Sequence, residues 1–227
     1  MHVKVWNKTR YYKDCRVNPS PFIKVKKPIY VYLLGLIYSD GSIYSQKYSH
    51  TILFKTTQPD AEYFKKIFLR TGDWEIYEYI QKQHPTWKPN VIIRTGNQYL
   101  RNFLIENDFL EKKIKSPDKL LKLIPEKLHK YFYLGVSDGD GCFYVNIKNG
   151  AYRFSLASSY EQNWEYMINI CDSLNIKYKI EHTKSKYGNY SKFHLTNKKE
   201  TIKYRNFLYK NSQLGLKRKR DKAFSIR

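Results

Sequence analysis

Leu33-Leu34-Gly35-Leu36-Ile37-Tyr38-Ser39-Asp40-Gly41 recurs one hundred residues later as Tyr133-Leu134-Gly135-Val136-Ser137-Asp138-Gly139-Asp140-Gly141. A second pair lies downstream. Arg101-Asn102-Phe103-Leu104, with Asn107 and Leu110, recurs as Arg205-Asn206-Phe207-Leu208, with Asn211 and Leu214, at an offset of 104. Either pair alone could arise by chance. Two pairs in the same order at nearly the same spacing mark an internal duplication. The halves run from 30 to 110 and from 128 to 214. Residues 111–127 form a linker containing Lys115-Ser116-Pro117-Asp118, a second proline at Pro125 and a short helical stretch. Residues 1–29 form a basic arm, with eight Lys and Arg against Asp14 alone, and residues 215–227 a basic tail.

Each motif reads as a helix that stops at an Asp-Gly step, with Gly41 and Gly141 as left-handed C-terminal residues. Asp40 and Asp140 then lie at the negative end of a helix dipole, where a carboxylate is disfavoured. A capping turn would explain one such misfit. The same misfit in both copies points to a function that compensates for it. Gly35 and Gly135 sit inside the helices, where glycine costs about 1 kcal/mol relative to alanine. Their use is close approach. Two parallel helices packed through Gly35 and Gly135 bring both aspartates to one end. Carboxylates that close repel unless divalent cations lie between them.

Beyond the motif, the second half alternates strictly. Phe143, Val145 and Ile147 face one way, and Tyr144, Asn146 and Lys148 the other. A second strand follows at 152–156, then a helix with Trp164, Met167, Ile168, Cys171 and Leu174 buried, strands at 176–181 and 192–196, and a final helix through Ile202 and Tyr209. The order is helix, two strands, helix, two strands, helix. The first half repeats it, with strands near 43–46, 51–57, 74–80 and 91–95 and helices near 59–70 and 97–109. The wet strand faces carry Lys55, Arg94, Lys148, Arg153, Lys177, Lys179 and Lys192, and strands of this kind can enter the major groove of DNA.

The bulk composition agrees. The 227 residues carry 42 Lys+Arg against 20 Asp+Glu, a formal net charge of +22, which calls for a polyanionic partner. The 22 tyrosines suit half-buried strands and base contacts alike. No apolar run is long enough for a membrane span. Cys15, Cys142 and Cys171 are odd in number and far apart, which argues for a reducing, intracellular setting and against structural zinc. The six histidines form no metal-binding pair. No signal peptide is expected, because Met1 is followed by polar and basic residues.

Both motifs resemble the signature of the LAGLIDADG homing endonucleases, in the single-chain form that carries two motifs. The second copy matches best, in Leu134-Gly135 and Asp138-Gly139-Asp140-Gly141. The first departs at its sixth position, Tyr38, where the family usually has an acid. The resemblance spans about residues 30–220. It implies an α+β protein of two pseudo-symmetric αββαββα half-domains, with the motif helices at their interface and the sheets forming a saddle on DNA. It implies a monomeric, metal-dependent DNA endonuclease that recognises a long double-stranded target and hydrolyses both strands with Mg2+. Asp40 and Asp140 carry over as the metal-binding acids, with the backbone carbonyls of Ser39 and Gly139 assisting. Further catalytic candidates are Gln58, where the family often has a glutamine, and aligned lysines that end each half: Lys113 and Lys115 matching Lys217 and Lys219.

Two alternatives share the fold. One is an intron maturase that binds intron RNA, and the other a DNA-binding regulator that no longer cuts, which the survival of both acids disfavours. Neither end carries intein chemistry. The richness in Lys, Tyr, Ile and Asn suits an AT-rich genome, so the expected setting is a phage-infected cell or an organelle, with the nucleus left open.

Overall fold

A computed structural model describes residues 17–46, 49–79, 89–146, 151–186, 188–195 and 197–226. Lys148 lies outside these residues, as do Cys15 and most of the basic arm. The arm's described end is not a tail: helix α1 (Ser20–Lys24) packs Phe22 against Tyr30 and Trp74, and Val17 and Val25 are buried.

Helix α2 (Pro28–Asp40) starts with proline at its first turn, where the missing N–H costs nothing. Every residue from Val31 to Tyr38 is buried. A helix apolar on all sides belongs in an interior, and α2 lies there, against α6 (His129–Gly139), its copy from the second half. The pair crosses at the glycines. A Cβ on Gly35 would fall 2.1 Å from Phe132 O, and one on Gly135 would fall 2.2 Å from Tyr32 O. The glycines cost about 1 kcal/mol each. The buried side chains of Leu34, Leu36, Leu134 and Val136 beside them gain roughly 1.5–3 kcal/mol each, so packing wins.

From each motif helix the chain enters a four-stranded antiparallel sheet. The first comprises β1 (Gly41–Gln46), β2 (Ser49–Thr57), β3 (Glu75–Tyr79) and β4 (Asn90–Thr95), in the order β1-β2-β4-β3. The second comprises β5 (Cys142–Asn146), β6 (Ala151–Ser159), β7 (Tyr178–Thr183) and β8 (Tyr190–Leu195), in the order β5-β6-β8-β7. Helix α3 (Ala61–Leu69) and helix α4 (Gln98–Glu106) complete the first half. Helix α7 (Glu165–Ser173) and helix α8 (Lys198–Tyr209) complete the second. Asn97 and Asn197 cap α4 and α8 in the same way, each side chain accepting the N–H three residues on. Each half is thus αββαββα.

Both segments read as linker and tail contain helices. Helix α5 (Asp118–Leu123) lies between the halves, and helix α9 (Lys217–Phe224) follows the second. One face of each sheet is apolar and faces the helices: Ile52, Phe54, Val91 and Ile93 in the first, Phe143, Phe154, Leu156 and Phe193 in the second. All belong to one continuous core. The opposite faces stay open.

Gly41 and Gly141 depart from expectation. Neither has a positive φ; Gly41 is extended, with φ −74° and ψ 154°. Glycine is needed there for space instead. A Cβ would fall 2.4 Å from Ile37 O in one motif and 2.4 Å from Ser137 O in the other. The strand leaves so tightly against the last helical turn that no side chain fits.

Candidate active site and basic strand surface

Helices α2 and α6 run parallel, so Asp40 and Asp140 end up side by side. Their carboxyl groups are within hydrogen-bonding reach of each other. Ser39 and Gly139 meet between them, where a Cβ on Gly139 would lie 2.0 Å from Ser39 Oγ and 2.9 Å from Asp40 Oδ2. The carboxylates are open to solvent on one side and crowded by protein on the other. That crowding, followed by the charge of Asp140, pushes the Asp40 carboxyl up to about 6. Asp140 is raised by burial as well, and Lys112 opposes the rise. Two acids this close each hold a proton more tightly than either would alone, and a cation between them relieves the same repulsion.

The dipole misfit of both helices has a resident answer. Lys112 Nζ donates to Ile37 O (3.1 Å), Ser39 O (2.9 Å) and Gly41 O at the end of α2. Lys219 Nζ donates to Ser137 O, Asp138 O, Gly139 O and Gly141 O at the end of α6, over 2.6–3.0 Å. Each ammonium sits on carbonyls at the C-terminal end of its helix, where positive charge offsets the dipole, and Ile37 O and Ser137 O accept from it in addition to Gly41 N and Gly141 N. Burial lowers both lysines, Lys112 to about 8.

These contacts correct the alignment of the lysines. Lys112, not Lys115, is the counterpart of Lys219. Lys112 follows a tight 3-10 turn (Phe109–Glu111), whereas Lys219 sits in α9 after three more residues. Lys115 is exposed and paired with Glu111 at 2.7 Å. Lys217 is exposed on α9. Lys113 lines an open pocket of about 310 Å3 beside Asp140, together with Ser39, Lys112, Ser158 and Gln162.

Gln58 lies past the end of β2, next to Glu62, and no described contact joins it to either aspartate. Gln162, which the sequence reading passed over, shares the Asp140 pocket and accepts from Ser158 Oγ at 2.7 Å. Its equivalent by strand register is Asp60, which forms a two-pronged ion pair with Arg218. The two sides of the site are therefore chemically unequal.

No group of three or more His, Cys, Asp or Glu side chains suited to a metal exists among the described residues. The site nevertheless fits a divalent cation. Two crowded carboxylates face one another, and converging backbone carbonyls already hold positive charge. A metal there would take its remaining ligands from water and substrate, as Mg2+ commonly does.

The open sheet faces flank the aspartates. Lys55 lies over Tyr79 and Arg94 over Tyr77, with ring-centre distances of 5.4 and 4.8 Å. Arg94 also pairs with Glu75 at 2.5 Å. In the second sheet, Arg153, Lys179 and Lys192 share the open face with Glu181. Lys177 is exposed one residue before β7 begins.

No family model matches the chain, and neither does any curated sequence. Solved structures do. The homing endonuclease I-WcaI bound to its DNA recognition sequence matches with a TM-score of 0.61 and 17% identity, over 90% of this chain and 91% of that one. The I-LtrWI LAGLIDADG homing endonuclease bound to target DNA matches with a TM-score of 0.56 and 14% identity, over 88% and 89%. I-DmoI in complex with DNA and Ca matches with a TM-score of 0.54 and 14% identity, over 88% and 96%. Topology, glycine crossing and paired aspartates converge on one architecture: this chain has the two-domain fold of the single-chain LAGLIDADG homing endonucleases.

Proposed function

We propose that the chain is a site-specific endonuclease that cuts both strands of a long DNA target with the help of divalent metal. One observation carries this reading: two crowded carboxylates, Asp40 and Asp140, meet at the aligned ends of parallel helices between two sheets with basic open faces. A carboxylate pair on a chain of net charge +22 is out of keeping with simple DNA coating. It suits phosphodiester chemistry. The fold neighbours bound to DNA, one of them with Ca, support the same conclusion.

In this reading Asp40 and Asp140 hold the metal, Mg2+ in the first instance, with help from Ser39 O and Gly139 O. The bound metal supplies Lewis acidity and an activated water. The protein supplies placement. Ser39 O and Gly139 O each have two lone pairs, so a carbonyl can keep its lysine and still face a cation. Lys112 and Lys219 hold the helix ends in shape, and Lys113 adds positive charge beside Asp140. The strand residues Lys55, Arg94, Arg153, Lys179 and Lys192 contact DNA. Phosphate contacts set its register, and base contacts select its sequence. Both carboxylates come from one chain, so the active species is a monomer.

The test is cleavage of a target selected from a randomised DNA library in Mg2+, beside a gel-shift titration. Asp40→Asn and Asp140→Asn should each abolish double-strand cutting while binding survives, because asparagine keeps shape and loses charge. Wild-type cutting by either variant would sink the shared-site mechanism.

A further inference from the structure

The residues at the sixth position of the two motifs, Tyr38 and Asp138, differ in chemistry yet reach equivalent parts of the chain. Tyr38 Oη donates to Lys112 O and Lys115 O, both at 3.1 Å. Its ring is wedged among Phe109, Phe132 and Tyr166 at centroid distances of 5.6–5.7 Å. Asp138 is 2% exposed and works in the opposite sense. Its Oδ2 accepts from Leu216 N and from Tyr32 Oη, each at 2.8 Å, and Tyr209 Oη lies 3.4 Å from its Oδ1.

The segments held are those that deliver the helix-end lysines. Tyr38 grips the backbone of Lys112 itself. Asp138 grips Leu216, the residue before α9, three positions ahead of Lys219. Asp138 does not face the metal end of the site as Asp140 does. Its oxygens are taken up by a backbone N–H and two tyrosines, one of them from the other half's motif helix.

We infer that Tyr38 and Asp138 are positioning residues that dock Lys112 and Lys219 on the ends of the motif helices, one as a hydrogen-bond donor and the other as an acceptor. Through those lysines they set the carbonyls of residues 39 and 139 and the pose of the adjoining aspartates. The residues are not interchangeable. An acid at 38 would face two carbonyl oxygens, and a phenol at 138 would have no room where Asp138 is already enclosed. The consequence for cutting rests on the endonuclease reading; the docking of the lysines does not.

The experiment therefore has a readout independent of cutting. Brief reductive methylation of the full chain, read by mass spectrometry, reports how far each lysine amine is shielded. In the wild type, Lys219 and Lys112 should react slowly and the exposed Lys115 fast. Tyr38→Phe should raise the reactivity of Lys112 several-fold and leave Lys219 shielded. Asp138→Leu should do the reverse. The lysine that stays shielded shows that each variant is folded. Asp138→Asn keeps an acceptor for Leu216 N and should leave both lysines shielded. In the cutting assay, Asp138→Asn should stay within about threefold of wild type, and Asp138→Leu should lose on the order of 100-fold in rate at saturating DNA with affinity little changed. Unchanged reactivity of Lys219 in Asp138→Leu and of Lys112 in Tyr38→Phe would overturn the inference. So would Asp138→Asn being as inactive as Asp140→Asn, which would make the charge of Asp138 part of the chemistry. Failure of the wild type to cut any DNA would refute the endonuclease reading alone, and the lysine reactivities would still decide the positioning roles.

Discussion

Gly35 and Gly135 face each other across a crossing that leaves neither room for a side chain: a Cβ built on Gly35 would fall 2.1 Å from Phe132 O and 3.1 Å from Gly135 Cα. The contact also fixes the height at which Asp40 and Asp140 meet, five residues further along each helix. Alanine at either position should force the helices apart. Overpacking of this kind costs about 1–3 kcal/mol. In a protein of this size that lowers the melting temperature by roughly 3–10 °C. Cutting should fall further than stability, because the aspartates separate. A melt of Gly35→Ala or Gly135→Ala within a degree of wild type would contradict the close packing.

The helix-end lysines should differ in weight. Lys219 is buried and serves four carbonyls, whereas Lys112 is half-buried and serves three. Methionine at either position fills the space and strands the acceptors. An unsatisfied buried polar group costs about 1–3 kcal/mol. Lys219→Met should therefore destabilise more than Lys112→Met in a urea titration. Equal midpoints would show that the four carbonyls find water instead.

Without metal, the protein should be less stable at about pH 7 than at about pH 5. The Asp40 carboxyl is raised to about 6 in the fold, above its unfolded range near 4. The folded state then binds more protons between those values, so stability is lost as pH rises through about 6. Between pH 5 and pH 7 about half of the effect is felt, and the group's exposure to solvent holds it to about 1 kcal/mol at most. Asp140 and Asp138 act in the same direction. Asp40→Asn should flatten the profile. Melting temperatures taken in chelator at both pH values decide the point, and a wild-type slope persisting in that variant refutes it.

DNA binding should weaken steeply with salt, and the strand cations should not count equally. Among the described residues Lys179 is paired with Glu181 at 3.1 Å, while Arg153 has no carboxylate partner. Arg153→Gln should lower the slope of log affinity against log salt by about one unit, and Lys179→Gln by less. Identical slopes for wild type and Arg153→Gln would remove Arg153 from the phosphate contacts.

The helical crossing, the order of helices and strands along each half and the paired aspartates were legible because each repeats in sequence. Gly35 and Gly135 announced a close approach twice, and Phe143 and Tyr144 announced two faces by simple alternation. The lysines were not legible. Lys112 and Lys219 act across 71–82 residues of chain, and the connections that carry them differ by three residues. Aligning Leu110 with Leu214 therefore selected Lys115 as the partner of Lys219. Gly41 and Gly141 show another limit. A glycine required for space and one required for a left-handed turn look the same in sequence, and only the contact with Ile37 O or Ser137 O separates them. Gln162 was missed because its counterpart, Asp60, is a different residue with an arginine partner.

Lys219 stands in α9, past the last element that the two halves share. A chain halted after Leu214 would already contain both sheets, both motif helices and both aspartates, but the end of α6 would still lack its cation, and Asp138 its bond from Leu216. The carboxylate pair is therefore built by one part of the chain and secured by another. Helix α9 acts as a clasp, closing the end of α6 from outside the two half-domains that build the centre.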